Sequence, residues 1–321
     1  MTARYLAWRI FQLVPTALGI VLVAFVLIHL APGDPVLALA GEHGDAGYYA
    51  FMRERFGLDR SLPEQLLTFT QRVFSGDVGV SFLEGRPAMA VIADRLPATL
   101  LLMLTALVLS TAAGLLAGVH GGIRIGRTSD LTLSAITLLL SAVPVFLVGQ
   151  LAVLGLASHW SLFPSGGIRT PGADHTGLAA LLDVARHLAL PALVLAAAEV
   201  AAVARLTRRA LAAELATDHI RTAHAKGLSP RTVIVRHALR RVLLPVVTVI
   251  GGRLGYAFGG AVVVEFVFSW PGIGRLLLAS TQARDMPVLL GIFLLIAGTV
   301  VVFNLLTDLT YTALDPRIRY R

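Results

Sequence analysis

The residues whose types and spacing could do chemistry lie in two places. Asp218, Arg221, Thr222, Ala223, Ala225, Lys226, Gly227, Leu228 and Ser229 fall within one short basic stretch, 218–245, set between long apolar runs. Gly227 stands where a helix would end, because glycine accepts the left-handed conformation. Ser229-Pro230 reads as an N-cap followed by a first-turn proline. From Ala212, the positions Leu215, Ala216, Ile220 and Ala223 form an apolar stripe at helical spacing, with Glu214, Asp218 and Arg221 off it. A second stripe follows at Val235, Ala238, Leu239 and Val242. Together they predict a compact two-helix knob whose chemistry is recognition: a basic surface offered to a soluble partner. His219 and His224 belong to it. The second place is inside the apolar runs, at Glu199, Arg253, Asn304 and Asp308, with Glu265 closing one run just before Trp270-Pro271-Gly272. Ionisable groups within a membrane are costly and point to a pathway or a partner. A structural pair of Arg253 with an acid, or Asp308 at the headgroups, is the competing account.

Covalent chemistry finds little support. The chain has no cysteine, so thiolate chemistry, disulfides and cysteine metal sites are excluded. Its nine histidines are scattered, and no His-x3-His pair lies within a predicted span, so no metal site is expected. No nucleophile–base set converges. Lys226 is the only lysine, and it is followed by Gly227. A Walker A loop needs Gly-Lys followed by Ser or Thr, so any ATP used here must be bound by another chain.

The elements that position these residues are membrane helices. Of 321 residues, 56% are hydrophobic and 14% charged, against roughly 25% charged in soluble domains. The mean hydropathy is +0.77. The fold class is therefore all-α and polytopic. A bilayer crossing takes about 20 apolar residues, and six candidates follow: 10–30, 98–120, 131–157, 188–208, 242–264 and 288–312. Pro144 and Pro245 remove backbone donors and bend or begin helices in the third and fifth. Arg4 and Arg9 precede the first run, which exceeds the roughly 7–15 residues of a signal-peptide core. Ala38-Leu39-Ala40 looks like a cleavage site, but Pro32, Asp34 and Pro35 intervene.

Charge sets the orientation. Segment 205–241 has nine basic and two acidic residues, net +7; segment 31–97 has six basic and nine acidic, net −3. Both termini and the knob are then cytoplasmic. The formal charge of +8 reflects this topology and not nucleic-acid binding. Three regions follow: 1–30, the N-terminal segment and first span; 31–97, a small extracytoplasmic lobe with helical character over 46–74; and 98–321, a five-helix core carrying the cytoplasmic loop 209–241. The lobe is too long for a turn and too short for an ordinary domain. Turn signals stand at Ala31-Pro32-Gly33-Asp34-Pro35 and at Gly76-Asp77-Val78-Gly79.

The stretch Arg221-Thr222-Ala223-His224-Ala225-Lys226-Gly227-Leu228-Ser229, with Leu244-Pro245 downstream, resembles the coupling loop of binding-protein-dependent ABC importer permeases of the dipeptide/oligopeptide/nickel family. Arg221-Thr222-Ala223 stands where the general motif has Glu-Ala-Ala, a departure the peptide branch shares. Further likeness runs along the chain. It includes Ile28-His29-Leu30-Ala31-Pro32-Gly33-Asp34-Pro35, Phe56-Gly57-Leu58-Asp59, Gly76–Phe82, Arg95–Leu100, Val264–Gly274 and Leu314–Arg319. It looks specifically like the first permease subunit, with a long external segment after span one. The resemblance implies the type I ABC importer permease fold in a prokaryotic cytoplasmic membrane. It implies a second homologous permease, two ABC ATPase subunits that bind ATP and magnesium, and an extracytoplasmic substrate-binding protein. The knob would sit in a cleft of an ATPase, and the external lobe with the loop at Trp270, Pro271 and Gly272 would receive the binding protein; Glu199, Arg253 and Glu265, singled out by their place in the spans, would contact a zwitterionic peptide backbone. Nickel chelate, glutathione or another small solute is the alternative cargo. A proton-coupled secondary transporter using Glu199 and Asp308 is the alternative class, although the two corresponding halves common in such folds are not evident.

Overall fold

A computed structural model describes residues 3–30, 36, 44–56 and 59–314. The turn at Ala31–Pro35, the Ala38-Leu39-Ala40 stretch, Gly57-Leu58 and residues 315–321 lie outside the described residues, as do the side chains of Arg4, Arg9, Leu244, Arg253 and Asp308. The architecture is all-α. In order, the helices are α1 (Ala3–Leu30), α2 (Ala46–Phe56), α3 (Leu62–Phe74), α4 (Ala88–Ile123), α5 (Thr128–Ala142), α6 (Val145–Ala152), α7 (Gly177–Leu215), α8 (Asp218–Ala225), α9 (Pro230–Thr232), α10 (Leu239–Val267), α11 (Ile273–Gln282) and α12 (Met286–Leu314). Two π-helical segments, Val153–His159 and Val233–Ala238, extend α6 and join α9 to α10. Among the described residues four helices are long and apolar enough to cross a bilayer, five if the bent pair α5–α6 is one span. The 29-residue α10 contains the expected span 242–264 but is not among those helices.

Several boundaries differ from the sequence reading. The helix of the second span begins at Ala88, ten residues before 98, and carries Pro97 inside it. The fourth runs over 39 residues, about 58 Å at 1.5 Å per residue, and projects beyond both ends of 188–208. The third is broken. α5 and α6 meet at 97° across Val143-Pro144, where Pro144 caps α6 in an extended conformation. Pro245 lies within α10 and begins no helix.

The chain forms two compact units, residues 1–99 with 271–302 and residues 100–270 with 303–321. In the first, Val78, Ala88, Val91, Ile92, Ile273, Leu276, Val288 and Ile292 make a buried core. Asp285 is fully buried there. Its Oδ2 accepts from Ser81 Oγ at 2.6 Å and Leu83 N at 3.3 Å, tying the Ser81 turn to the start of α12. The lobe helices lie as 46–74 predicted. α3 meets α1 through His29 Nε2 and Gln65 Oε1, 3.0 Å apart, and through Phe25 against Phe69.

In the second unit, α4 packs on α7 without room for side chains. A Cβ on Gly118 would lie 2.7 Å from the Ala204 carbonyl oxygen, and one on Gly114 3.1 Å from that of Val200. Small residues permit this approach between membrane helices. The seam ends in an ion pair. Arg208 Nε and Nη2 donate to Asp130 Oδ1 and Oδ2 at 2.5 and 2.7 Å. The Asp130 side chain is wholly buried, and it also accepts from Gly126 N at 2.9 Å.

Candidate functional site

The knob at 209–241 is built by three local devices. α7 stops at Leu215 because Thr217 takes an extended conformation (ψ 155°). Thr217 Oγ1 donates to the Glu214 carbonyl at 2.6 Å instead of letting the helix continue. Consequently 212–223 is not one helix. α8 begins at Asp218, and Ala216 is exposed, off the stripe on which the sequence placed it. At its other end α8 closes as the glycine predicts. Gly227 has φ +76°; its N–H donates to His224 O at 2.9 Å, and Leu228 N–H donates to Ala223 O at 3.4 Å. This is the Schellman arrangement. Ser229 then caps the next helix, its Oγ accepting from Thr232 N at 3.3 Å, with Pro230 at the first position.

The third device escaped the sequence. The buried positions after Ser229 are Val233, Ala238, Val242 and Val246, not Val235, Ala238, Leu239 and Val242. Their spacing is five, four and four. The π-segment Val233–Ala238 accommodates one residue more than an α-helical turn, so a 3.6-residue period misplaces the face. Val235 is 59% exposed as a result. Leu211, Ile220 and Ala223 complete the core of the knob from α7 and α8.

Around this core the candidate docking residues are presented outward. Asp218, Arg221, Thr222, Ala225, Lys226, Gly227, Leu228 and Ser229 are exposed, while Ala223 is buried and acts by packing. Asp218 and Arg221 face each other at 3.3 Å, with both side chains largely in solvent. Such a surface pair has little energetic weight, so neither side chain is committed to holding the fold.

The candidate pathway residues separate. Glu199 lies on the wall of a cleft between α4, α7 and α10, among Met103, Leu107, Ser110, Thr111 and Ile250. Among the described residues its other walls are apolar apart from the Ser110 and Thr111 hydroxyls. Glu265 is different. It is fully enclosed at the last turn of α10 and does not face an open passage. Asn304 is exposed on α12.

The loop after α10 also departs from expectation. Trp270 is fully buried and Gly272 is buried, with Pro271 half-buried, so the aromatic surface expected to meet a partner is not presented. The cause is local. Ser269 adopts φ +49°, and Trp270 N donates back to the Glu265 carbonyl at 2.8 Å, folding the indole inward. Gly167 N donates to Phe268 O at 2.9 Å and closes over the turn. A Cβ on Gly166 would stand 2.5 Å from that same oxygen. Trp160, 62% exposed at the end of the α6 π-segment, is the tryptophan open to the surroundings there.

Comparison with known proteins bears on the family and the fold. Residues 110–320 match the binding-protein-dependent transport system inner membrane component family, and residues 2–103 match its N-terminal region. The dipeptide transport system permease protein DppB of Escherichia coli (strain K12) is 36% identical over 336 residues, covering 99% of each chain. A putative peptide permease protein of Brucella ovis is 37% identical over 324 residues, covering 98% of this chain and 99% of its own. The glutathione transport system permease protein GsiC of Escherichia coli (strain K12) is 35% identical over 317 residues, with 99% of each covered. Among solved structures, the inward-facing MetNI methionine ABC transporter superposes with a TM-score of 0.58 at 18% identity, covering 71% of this chain and 98% of that one. At that identity the likeness is one of fold.

Proposed function

Because the chain belongs to the binding-protein-dependent transport system inner membrane component family, we propose that it is the peptide-translocating permease subunit of an ATP-binding-cassette importer. The observation that carries the substrate class is its relation, over 98–99% of its length, to dipeptide and peptide permeases. The glutathione permease, at 35% identity, supports a small peptide-like cargo as the second reading. The chain does no covalent chemistry. Two partner ATPases bind ATP and magnesium, a second permease completes the passage, and an extracytoplasmic binding protein delivers the cargo. Both termini and the knob face the cytoplasm of a prokaryote, and the 31–97 segment faces outward.

Mechanistically, ATP binding in the partners closes the ATPase pair around the knob. The exposed edge from Asp218 to Ser229 is the contact, and the Val233–Val246 face carries its movement into α10. The spans then exchange between inward-open and outward-open states, a two-state equilibrium biased by binding energy supplied elsewhere. Glu199 lines the passage and meets the charged ends of the cargo.

The test is uptake of a labelled peptide pool by proteoliposomes holding the complete complex, with and without Gly227→Arg. ATP-dependent uptake that the variant loses is the expected result. Binding-protein-stimulated ATP hydrolysis without peptide uptake would remove the peptide assignment. Purification with no ATPase attached would remove the importer reading.

A further inference from the structure

α7 carries two ion pairs near its cytoplasmic end, and they are built differently. Arg208 grips Asp130 with two aligned donors. Such a bidentate pair fixes both distance and orientation. One turn and a half further on, Glu214 Oε1 lies 3.0 Å from His219 Nε2, on α8, and 3.6 Å from Arg241 Nε, on α10. Neither Glu214 Oε1 nor His219 Nε2 makes an aligned hydrogen bond among the described residues, although both atoms are buried. The Glu214 side chain is only 15% exposed. Its contacts with both partners are close but are not aligned as hydrogen bonds.

His219 is fixed from its other side. Thr217 Oγ1 gives its one proton to the Glu214 carbonyl at 2.6 Å, so His219 Nδ1, 3.0 Å away, donates to that hydroxyl. Nε2 then attracts the carboxylate when it too is protonated.

We propose that Glu214 is a positioning residue for coupling, the ionic joint through which displacement of α8 is shared between the ends of α7 and α10. This rests on the permease reading above. The joint sits where three helices meet, at the corner made by Thr217, and its lack of directed bonds lets α8 turn without breaking contact. The Asp130–Arg208 clamp on the same helix keeps α7 locked to α5, so movement entering at Glu214 is passed on along α7 as one body.

Three variants, Glu214→Gln, His219→Gln and His219→Lys, are compared in proteoliposomes of the full complex. Binding-protein-stimulated ATP hydrolysis, peptide uptake and ATPase co-purification are measured together. Glu214→Gln and His219→Gln are expected to lower uptake per ATP about five- to ten-fold, the scale on which removing one partner of a buried polar contact acts. In both variants uptake falls further than hydrolysis and ATPase co-purification do. His219→Lys keeps a cation before the carboxylate and restores the wild-type ratio. An unchanged ratio in Glu214→Gln, or His219→Lys failing as far as His219→Gln, would overturn the proposal. So would uptake, hydrolysis and co-purification falling together, which marks a scaffold role. Absence of ATP-driven uptake in the wild-type complex would overturn the permease reading, and this proposal with it, before any variant is compared.

Discussion

Replacing Gly227 by alanine isolates the energetics of the turn between α8 and α9. A Cβ at this position meets nothing within 4 Å, so no steric clash contributes. What remains is the backbone: φ is +76°, and an L-residue with a Cβ pays about 1–2 kcal/mol there. Alanine also lowers the entropy of the unfolded chain, by about 0.4–1 kcal/mol, but at an incompatible φ the strain outweighs that gain. The net cost falls on the turn that satisfies the Ala223 and His224 carbonyls. The difference, about 0.8 kcal/mol and at most about 1.6, corresponds to a roughly 4-fold and at most about 15-fold shift in the equilibrium between the closed and frayed turn. Hydrogen exchange of the backbone amides over 218–229 reads this directly, and ATP-dependent uptake reads its consequence. Gly227→Ala should lose protection by that factor and transport less. Gly227→Asn should stay near wild type, since asparagine visits the left-handed region. Equal protection in wild type and alanine variant, or an asparagine variant as impaired as alanine, would refute the argument that backbone conformation is what Gly227 supplies.

Other consequences are open to simpler tests. Gly118→Leu drives a side chain into the Ala204 carbonyl and Thr207, so the protein should fail to accumulate in membranes; Gly155→Ala, with nothing within 4 Å, should accumulate normally. Asp130→Asn leaves the Arg208 fork facing a neutral amide and should lower the unfolding temperature in detergent, whereas Asp94→Asn, on an exposed network with Arg86, should leave it unchanged. Deleting Val235 removes the extra residue of the π-segment and brings Val233, Ala238, Val242 and Val246 to an even four-residue spacing. Thermal stability should therefore survive that deletion better than deletion of Ile250, which follows the π-segment in a regular helix.

What could be read in the sequence follows from how local each cause is. Gly227 and Ser229-Pro230 mark the ends of α8 and α9 because capping is decided within five residues. The lobe helices and the long apolar spans follow from composition. Val235 was misplaced because a stripe drawn at 3.6 residues per turn assumes a regular helix, and no single residue type announces a π-segment. Trp270 read as an exposed aromatic, but its burial depends on one positive φ at Ser269 and on Gly166 and Gly167, about a hundred residues earlier. Glu214 stood out only as a charge off the apolar stripe. Its partners His219 and Arg241 come together through the corner at Thr217 and the return of α10. Glu199 stands out by depth within an apolar run alone, and the structure places it on the wall of a cleft.

The π-segment bears on how this chain is compared with its relatives. A relative lacking the extra residue would have its helical faces in step with this one before Val233 and out of step after Ala238, unless one gap is placed between them. One residue is about 100° around a helix, so a cysteine pair or suppressor mutation transferred by number alone from such a relative onto α10 would land on a different face. Experiments on the lever are best designed on the buried face that Val242 and Val246 define.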